Sequence, residues 1–359
     1  MRVLITAAGS PGFITLYKSL SSYNDNIELY GCDSNPESFG LRLLKKSFCV
    51  PPACSPDYVP SLIKTCVENN IQVIIPCSDE EVQVTSDNFQ TFADAGIQLL
   101  VNTGDMSKIF DKQKFLSIVR KLQPDIVPDF LVVTSAAEFT AAFKILSEKH
   151  TTLCVKPATA HGSRGFRIIR DPCISDFLNK KPNAAEMSYI SLYSMLSQRT
   201  SFQPLLLMEY LPGEEFSVDC LQQKNGFVSV SRRRDVIKEG ICSAGVAIKR
   251  TDIIEHSRKL YQHFGLTYNA NFQFRYDKHG KPKIIELNPR FSGTMELCRG
   301  AGVDFATLAL DKLLGKERDD LPQVRWDTSM QRVWNEVFFV QKKVFLLESL
   351  ESAIGSMNE

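Results

Sequence analysis

Ile284-Ile285-Glu286-Leu287-Asn288-Pro289-Arg290 ends an apolar run with a carboxylate and an amide two positions apart, then a proline and an arginine. Side chains alternate along an extended strand, so Glu286 and Asn288 leave one face while Leu287 turns to the other. Both are hard oxygen donors of the kind that suits magnesium, which takes one or two carboxylates and completes its shell with phosphate oxygens and water. Upstream, Asn271-Phe272-Gln273-Phe274 reads as the preceding antiparallel strand, with Asn271 and Gln273 on a common face. A hairpin turn over Asp277 to Lys281 brings Gln273 close to Glu286 and leaves Arg290 within reach of a phosphate. Read alone, the same residues also suit a plain strand end stopped by Pro289.

Two other stretches offer matching chemistry. Val155-Lys156-Pro157 ends a buried strand on a cation and runs into Ala158-Thr159-Ala160-His161-Gly162-Ser163-Arg164-Gly165, a loop of mostly small residues. Its N–H groups can fold over phosphate oxygens. It lacks the Gly-Lys-Ser/Thr of a Walker loop, and a plain hairpin with an exposed Lys156 fits the loop equally well. Leu205-Leu206-Leu207-Met208-Glu209-Tyr210-Leu211 carries an apolar strand into Pro212-Gly213-Glu214-Glu215. Backbone groups there suit an adenine edge and Glu215 suits ribose hydroxyls, against the alternative of a solvated acidic turn.

Composition excludes several classes. With 42 Lys plus Arg against 41 Asp plus Glu, the 359-residue chain has no overall field to recruit nucleic acid or anionic membrane. No apolar run reaches the roughly 18 to 20 residues of a membrane span. The ten cysteines are scattered without a Cys-x-x-Cys pair, as reduced core thiols are. The start, Met1-Arg2-Val3-Leu4-Ile5-Thr6, reads as a strand and not as a leader, so a cytoplasmic protein is expected.

Length alone argues for two or three packed units. Residues 1–107 alternate short apolar strands (Arg2 to Thr6, Ile27 to Gly31, Ser47 to Val50, Gln72 to Pro76, Ile97 to Val101) with helices at Pro11 to Ser21, Pro56 to Asn69 and Asp79 to Ala95. That alternation predicts a parallel, Rossmann-like sheet. Residues 108–204 read as a linker helix, continuing from Asp105 to Leu122, and a compact α+β lid. Residues 205–315 read as a strand-rich central unit carrying the 284–290 segment. Residues 316–359 form an extension packed on the body, and its run Val337-Phe338-Phe339-Val340 suits a homodimer contact.

In order along the chain, Asp111-Lys112, Val155-Lys156 with its glycine loop, Glu209-x-x-x-Gly213-x-Glu215, Asn271-Phe272-Gln273-Phe274 and Ile285-Glu286-Leu287-Asn288-Pro289-Arg290 resemble the ATP-grasp superfamily, over about residues 1 to 315. The likeness is greatest to its carbamoyl-phosphate synthase and biotin carboxylase branch, including stand-alone ligases. It implies a Rossmann-like domain without nicotinamide, followed by a two-subdomain fold holding ATP. It further implies that Lys112 and Lys156 contact phosphates, that the loop containing His161, Gly162, Ser163 and Gly165 closes over them, that Glu209, Tyr210 and Leu211 line the adenine, and that Glu215 holds the ribose. Gln273, Glu286 and Asn288 would hold Mg2+, or Mn2+ in its place, with Arg290 and Lys156 in catalytic roles. The expected activity is an ADP-forming carboxylate–amine ligase acting through an acyl phosphate on small-molecule substrates. Two alternatives stand: an enzyme activating bicarbonate or a small acid, and a catalytically silent ATP-binding regulator. One departure is Gly240-Ile241-Cys242, where carbamoyl-phosphate synthases usually carry Gly-Ile-His, which makes carbamoyl phosphate a poor guess for the product.

Ala7-Ala8-Gly9-Ser10-Pro11-Gly12, with Asp33 closing the second strand, lacks full Gly-x-Gly-x-x-Gly spacing. It reads as a tight turn in preference to a dinucleotide site. In Ser231-Arg232-Arg233-Arg234-Asp235, alternation sends Arg233 away from Arg232 and Arg234, and one or two of these suit a substrate carboxylate or a terminal phosphate.

Overall fold

The computed structural model describes residues 1–23, 27–44, 46–159, 164–171, 173–179, 183–238, 240–333, 337–340 and 343–346. The first unit is a parallel sheet of β1 (Arg2–Ile5), β2 (Glu28–Asp33), β3 (Ser47–Cys49), β4 (Val73–Ile75) and β5 (Gln98–Leu99) in the order β3-β2-β1-β4-β5. Around it lie α1 (Pro11–Ser21), α2 (Phe39–Leu43), α3 (Tyr58–Glu68), α4 (Asp79–Asp87) and α5 (Phe89–Asp94). Strand order reverses at β1, with β2 on one side and β4 on the other, so the loops leaving β1 and β4 open a crevice at the carboxyl end of the sheet. Local chemistry sets both helix starts. Ser10 caps α1 ahead of Pro11, and Ser78 with Glu81 forms a capping box on α4.

The turn after β1 is structural. Asp33 Oδ2 accepts the Gly9 N–H at 2.7 Å and Oδ1 accepts Asn35 N–H at 2.8 Å, so the acid that would hold a ribose in a dinucleotide site braces the loop.

After α6 (Ser107–Phe110) and α7 (Lys112–Leu122), a second sheet holds β6 (Phe130–Val133), β7 (Leu153–Pro157), β8 (Arg167–Ile169), β9 (Glu186–Met187) and β10 (Leu205–Glu209), ordered β6-β10-β7-β8-β9. Helices α8 (Ala136–Ser147), α9 (Ile174–Asn179) and α10 (Tyr189–Leu196) accompany it. The third sheet is antiparallel: β11 (Glu215–Gln223), β12 (Gly226–Lys238), β13 (Ile241–Ala247), β14 (Ala270–Tyr276), β15 (Pro282–Asn288) and β16 (Ser329–Gln331), in the order β15-β14-β11-β12-β13-β16. It carries α11 (Thr251–His263), α12 (Glu296–Gly300) and α13 (Phe305–Leu313), and a separate hairpin pairs β17 (Val337–Val340) with β18 (Lys343–Leu346). One apolar core runs through all three units, from Leu4 past Phe115 and Leu206 to Phe216, Phe272 and Leu287.

Three expectations need correction. Leu205–Glu209 does not open the central unit: it pairs antiparallel with β6 and β7 and completes the smaller sheet, so the boundary expected at 204/205 falls inside that sheet. Periodicity identifies a strand but not the partner it will find. The helix expected over Asp79 to Ala95 breaks at Asn88, and that over Asp105 to Leu122 breaks at Asp111, whose carboxylate instead caps α7 by accepting Gln113 and Lys114 N–H.

Deep in the third sheet Arg232 and Asp219 are both fully buried, with Arg232 Nε on Asp219 Oδ2 at 2.8 Å and Asn271 Nδ2 on Asp219 Oδ1 at 3.2 Å. Removing one charge leaves the other desolvated and unpaired. Asp219→Ala is therefore expected to lower stability by about 3–5 kcal/mol, whereas the joint Asp219→Leu, Arg232→Met change loses much less. Urea midpoints of the three proteins measure this, and equal losses would contradict it.

Candidate functional site

A cavity of about 510 Å³ opens where the three units meet. Its floor is the β14–β15 hairpin, in which Gln273 pairs with Glu286 and Asn271 with Asn288, and all four line the cavity. The pairing is not a plain ladder. Gln273 opposes Glu286 but Phe274 opposes Ile284, so Ile285 is the extra residue of a bulge. That insertion lets Ile284 and Leu287, three positions apart, both reach the core (0% and 3% exposed) while Glu286 and Asn288 share the cavity face.

The second sheet supplies the roof. Lys156, at the end of β7, crosses the cavity and donates from Nζ to the carbonyl of bulged Ile285 at 3.3 Å. Lys112, the first residue of α7, lines the same space, and its N–H holds the Ala158 carbonyl at 2.9 Å. Burial is the main reason that the Lys156 ammonium is pushed down to about 8; neighbouring Lys112 adds to the effect and Glu286 opposes it. Across from these cations, Asn288 Nδ2 donates to Glu286 Oε1 at 3.2 Å, which leaves its amide oxygen on the other side of the group. Gln273 Oε1 accepts from Arg234 Nη1 at 3.1 Å.

At the far end, Met208, Glu209, Tyr210 and Leu211 line the cavity as the chain leaves β10, beside Cys154, Phe166 and Ile241. Glu209 is anchored from behind, its Oε1 accepting Asp129 N–H at 2.9 Å and its Oε2 lying 3.5 Å from His150 Nδ1. Glu215 also lines the cavity, its carboxylate held by Arg234 and 3.9 Å from Arg275. Gly165 sits beside the cavity-lining Arg164 and Phe166 at φ +77°, where an added Cβ would meet Pro157 at 2.7 Å, so only glycine suits that turn. His161, Gly162 and Ser163 lie outside the described residues.

Arg290 is present but engaged. Its Nε and Nη2 fork onto the two oxygens of Asp79, the second at 3.1 Å, and its Nη1 donates to the Phe291 carbonyl at 3.1 Å. Burial opposes its charge, and Asp79 more than restores it, so the guanidinium stays raised above its ordinary value.

The cavity also recruits residues outside the five motifs that carry the resemblance. Ser10, Pro11 and Gly12 after β1, and Cys77 through Glu80 after β4, form the wall supplied by the first unit at its crevice. Arg275 joins from β14 and Arg234 from β12. Strand alternation did foretell the split in the arginine run: Arg232 is in the core, Arg233 turns outward to Asp235 and Glu214, and Arg234 faces the cavity. The donor set fits a divalent cation that borrows ligands from a bound anion. Among the described residues no group of three His, Cys, Asp or Glu forms a closed metal cage, while Glu286, Asn288 and Gln273 offer one carboxylate and two amides.

Residues 201–336 match the family described as ATP-grasp in the biosynthetic pathway with Ter operon, and residues 3–100 match the PylC-like N-terminal domain. A carbamoyl phosphate synthase large chain of Clostridium perfringens is 24% identical over 180 residues, 47% of this chain and 16% of that protein's length. The chain thus spans about a sixth of that relative. Two solved structures share the fold. Biotin carboxylase of Campylobacter jejuni in its β-γ-ATP complex superposes with TM-score 0.64 at 16% identity, covering 91% of this chain and 73% of the other. An L-amino acid ligase of Bacillus licheniformis gives 0.61 at 14%, covering 90% and 75%.

The Lys156 shift carries a stability consequence whose sign is fixed. With a folded value of about 8 against an ordinary 10.5, the unfolded chain binds the proton more tightly, so stability rises as pH climbs from about 8 to about 10.5. At neutral pH the buried charge costs about 3 kcal/mol. Lys156→Met is expected to raise the urea midpoint at pH 7 and to narrow its advantage over the parent by pH 10. A constant difference across that range would contradict it.

Proposed function

We propose that this chain, an ATP-grasp protein of the carbamoyl-phosphate synthase and biotin carboxylase branch, is an ADP-forming ligase that activates a carboxylate as an acyl phosphate and transfers the acyl group to an amine. The observation that carries the reading is the convergence of Lys112, Lys156 and Arg290 on one cavity whose floor presents Glu286, Asn288 and Gln273. Phosphoryl transfer asks little covalent chemistry of a protein. It asks for cations on the phosphates, oxygen ligands for the metal and exclusion of water.

In this reading the segment Glu209 to Leu211 takes the adenine edge and Glu215 the ribose. Lys112 and Lys156 hold phosphate oxygens, and the anion gives the buried Lys156 ammonium the partner it lacks at full strength. Glu286, Asn288 and Gln273 would hold magnesium, which supplies neutralisation of the phosphate charge and orientation of the terminal group. A substrate carboxylate oxygen attacks the terminal phosphorus, the bond to the bridging oxygen breaks, and ADP leaves. An amine nitrogen then attacks the acyl carbon and phosphate departs, the amine losing its proton. Arg290 balances the negative charge that grows in both steps.

The test is ADP release measured with magnesium and carboxylic acids alone, amines alone, and pairs. Turnover that requires both substrates supports the ligase; turnover with an acid alone points to small-acid activation, and tight nucleotide binding without turnover points to a silent regulator. Glu286→Gln is expected to lower magnesium-dependent turnover by about a hundredfold or more. Unchanged turnover in that variant would sink the metal assignment.

A further inference from the structure

The first turn of α4 assigns a task to all four of its leading residues. Ser78 caps the helix, its Oγ accepting Glu81 N–H at 3.2 Å. Glu81 reaches back to accept Ser78 N–H at 3.1 Å and the Thr6 hydroxyl at 2.6 Å, which ties the helix start to the end of β1. With both ends of the turn fixed to the parallel sheet, Asp79 has little freedom and is only 6% exposed. Its two oxygens meet the guanidinium of Arg290, a residue 211 positions away at the end of the metal-binding floor. Glu80, next along, lies 3.6 Å from Arg164 of the glycine loop.

A guanidinium on a flexible stem is a poor electrostatic tool unless something fixes its plane. Bidentate pairing to a buried carboxylate fixes plane and direction together, and the desolvated carboxylate keeps the guanidinium from swinging back into solvent. We infer that Asp79 is a positioning residue: through it, the first domain holds Arg290 in the attitude that meets the developing charge, which makes that domain a working part of the catalytic site. The inference rests on the ligase reading above, in which Arg290 faces the transferred group. Asp79 touches no reacting atom in this scheme, and Arg290 remains the group that does.

The experiment compares the full chain with Asp79→Asn, Asp79→Glu, Arg290→Met and the double variant Asp79→Asn, Arg290→Met. Two quantities are read: the Kd for Mg-ADP by calorimetry, and turnover at saturating ATP with the substrate pair that supports ADP release. Asp79→Asn is expected to lower turnover by at least about tenfold with the Mg-ADP Kd within about twofold of the parent. Asp79→Glu regains most of the loss, and the double variant is no slower than Arg290→Met, because both changes act through one guanidinium. Turnover of Asp79→Asn within twofold of the parent would overturn the inference, as would losses that multiply in the double variant. A weakened Kd and lowered melting temperature that Asp79→Glu does not repair would also overturn it, by making the pair structural only. These outcomes separate from failure of the ligase reading, which shows as a parent chain that turns over with no acid–amine pair, whether or not it binds Mg-ADP.

Discussion

One extra residue, Ile285, organises the centre of this molecule. Without it, alternation along β15 would put Ile284 and Glu286 on one face, and either a carboxylate would enter the core or an isoleucine would leave it. The bulge resets the phase between them, so that Ile284 and Leu287 bury with Phe272 and Phe274 while Glu286 and Asn288 turn to the cavity. A bulge also leaves a backbone group outside the ladder. Here the Ile285 carbonyl takes the ammonium of Lys156 from the opposite sheet. The irregularity that aims the oxygen donors thereby also anchors a cation above them.

The charges around the cavity follow the same logic of fixed placement. Among the described residues, six cationic side chains (Lys112, Lys156, Arg164, Arg234, Arg275, Arg290) face five carboxylates (Asp79, Glu80, Glu209, Glu215, Glu286), so their charges nearly balance. Arg234 is shared among Glu215, Gln273 and the Gly240 carbonyl, and Arg290 is forked onto Asp79. Such groups need little reorganisation when a polyanion arrives. Lys156 differs. Its lowered affinity for a proton reports a charge that burial has under-compensated, for which the proposed reading supplies a phosphate as complement.

How much of this was legible in the sequence depended on the range of the interaction involved. Glu286, Asn288 and Gln273 were readable because strand alternation and hairpin pairing are local rules, and Pro11 to Ser21 was readable because its cap and apolar spacing lie within one turn. Sheet membership was not: Leu205–Glu209 shows the same apolar run whichever sheet it joins, and only packing against β6 and β7 decides. Asp79 was hidden for a related reason. An acid in the first turn of a helix already has a local explanation through the helix dipole, so nothing in Ser78-Asp79-Glu80-Glu81 signals a partner 211 residues away. Arg234 lay between these cases, since alternation gave its face but not its partners.

The two halves of the site therefore carry information of different kinds. On the proposed reading, holding polyphosphate and a divalent cation restricts residue types severely, because few side chains are cations or hard oxygen donors, and that half leaves a motif. The remaining wall is made of Ser10, Pro11 and Gly12 from the first unit and Ser292, Gly293 and Thr294 from the segment after Arg290. These are small residues whose contribution is shape. A Cβ on Gly293 would lie 3.8 Å from Gly12 N and from Pro11 Cβ, ordinary contact distances that the backbone tolerates. Glycine is thus not demanded there by strain, and a larger residue would take its volume from the meeting of the two domains. Selection of a carboxylate or an amine by such a wall rests on the space left open and on a few polar edges. Those quantities belong to the folded surface, which is why the proposed phosphate chemistry reads out of the chain long before the identity of an acceptor does.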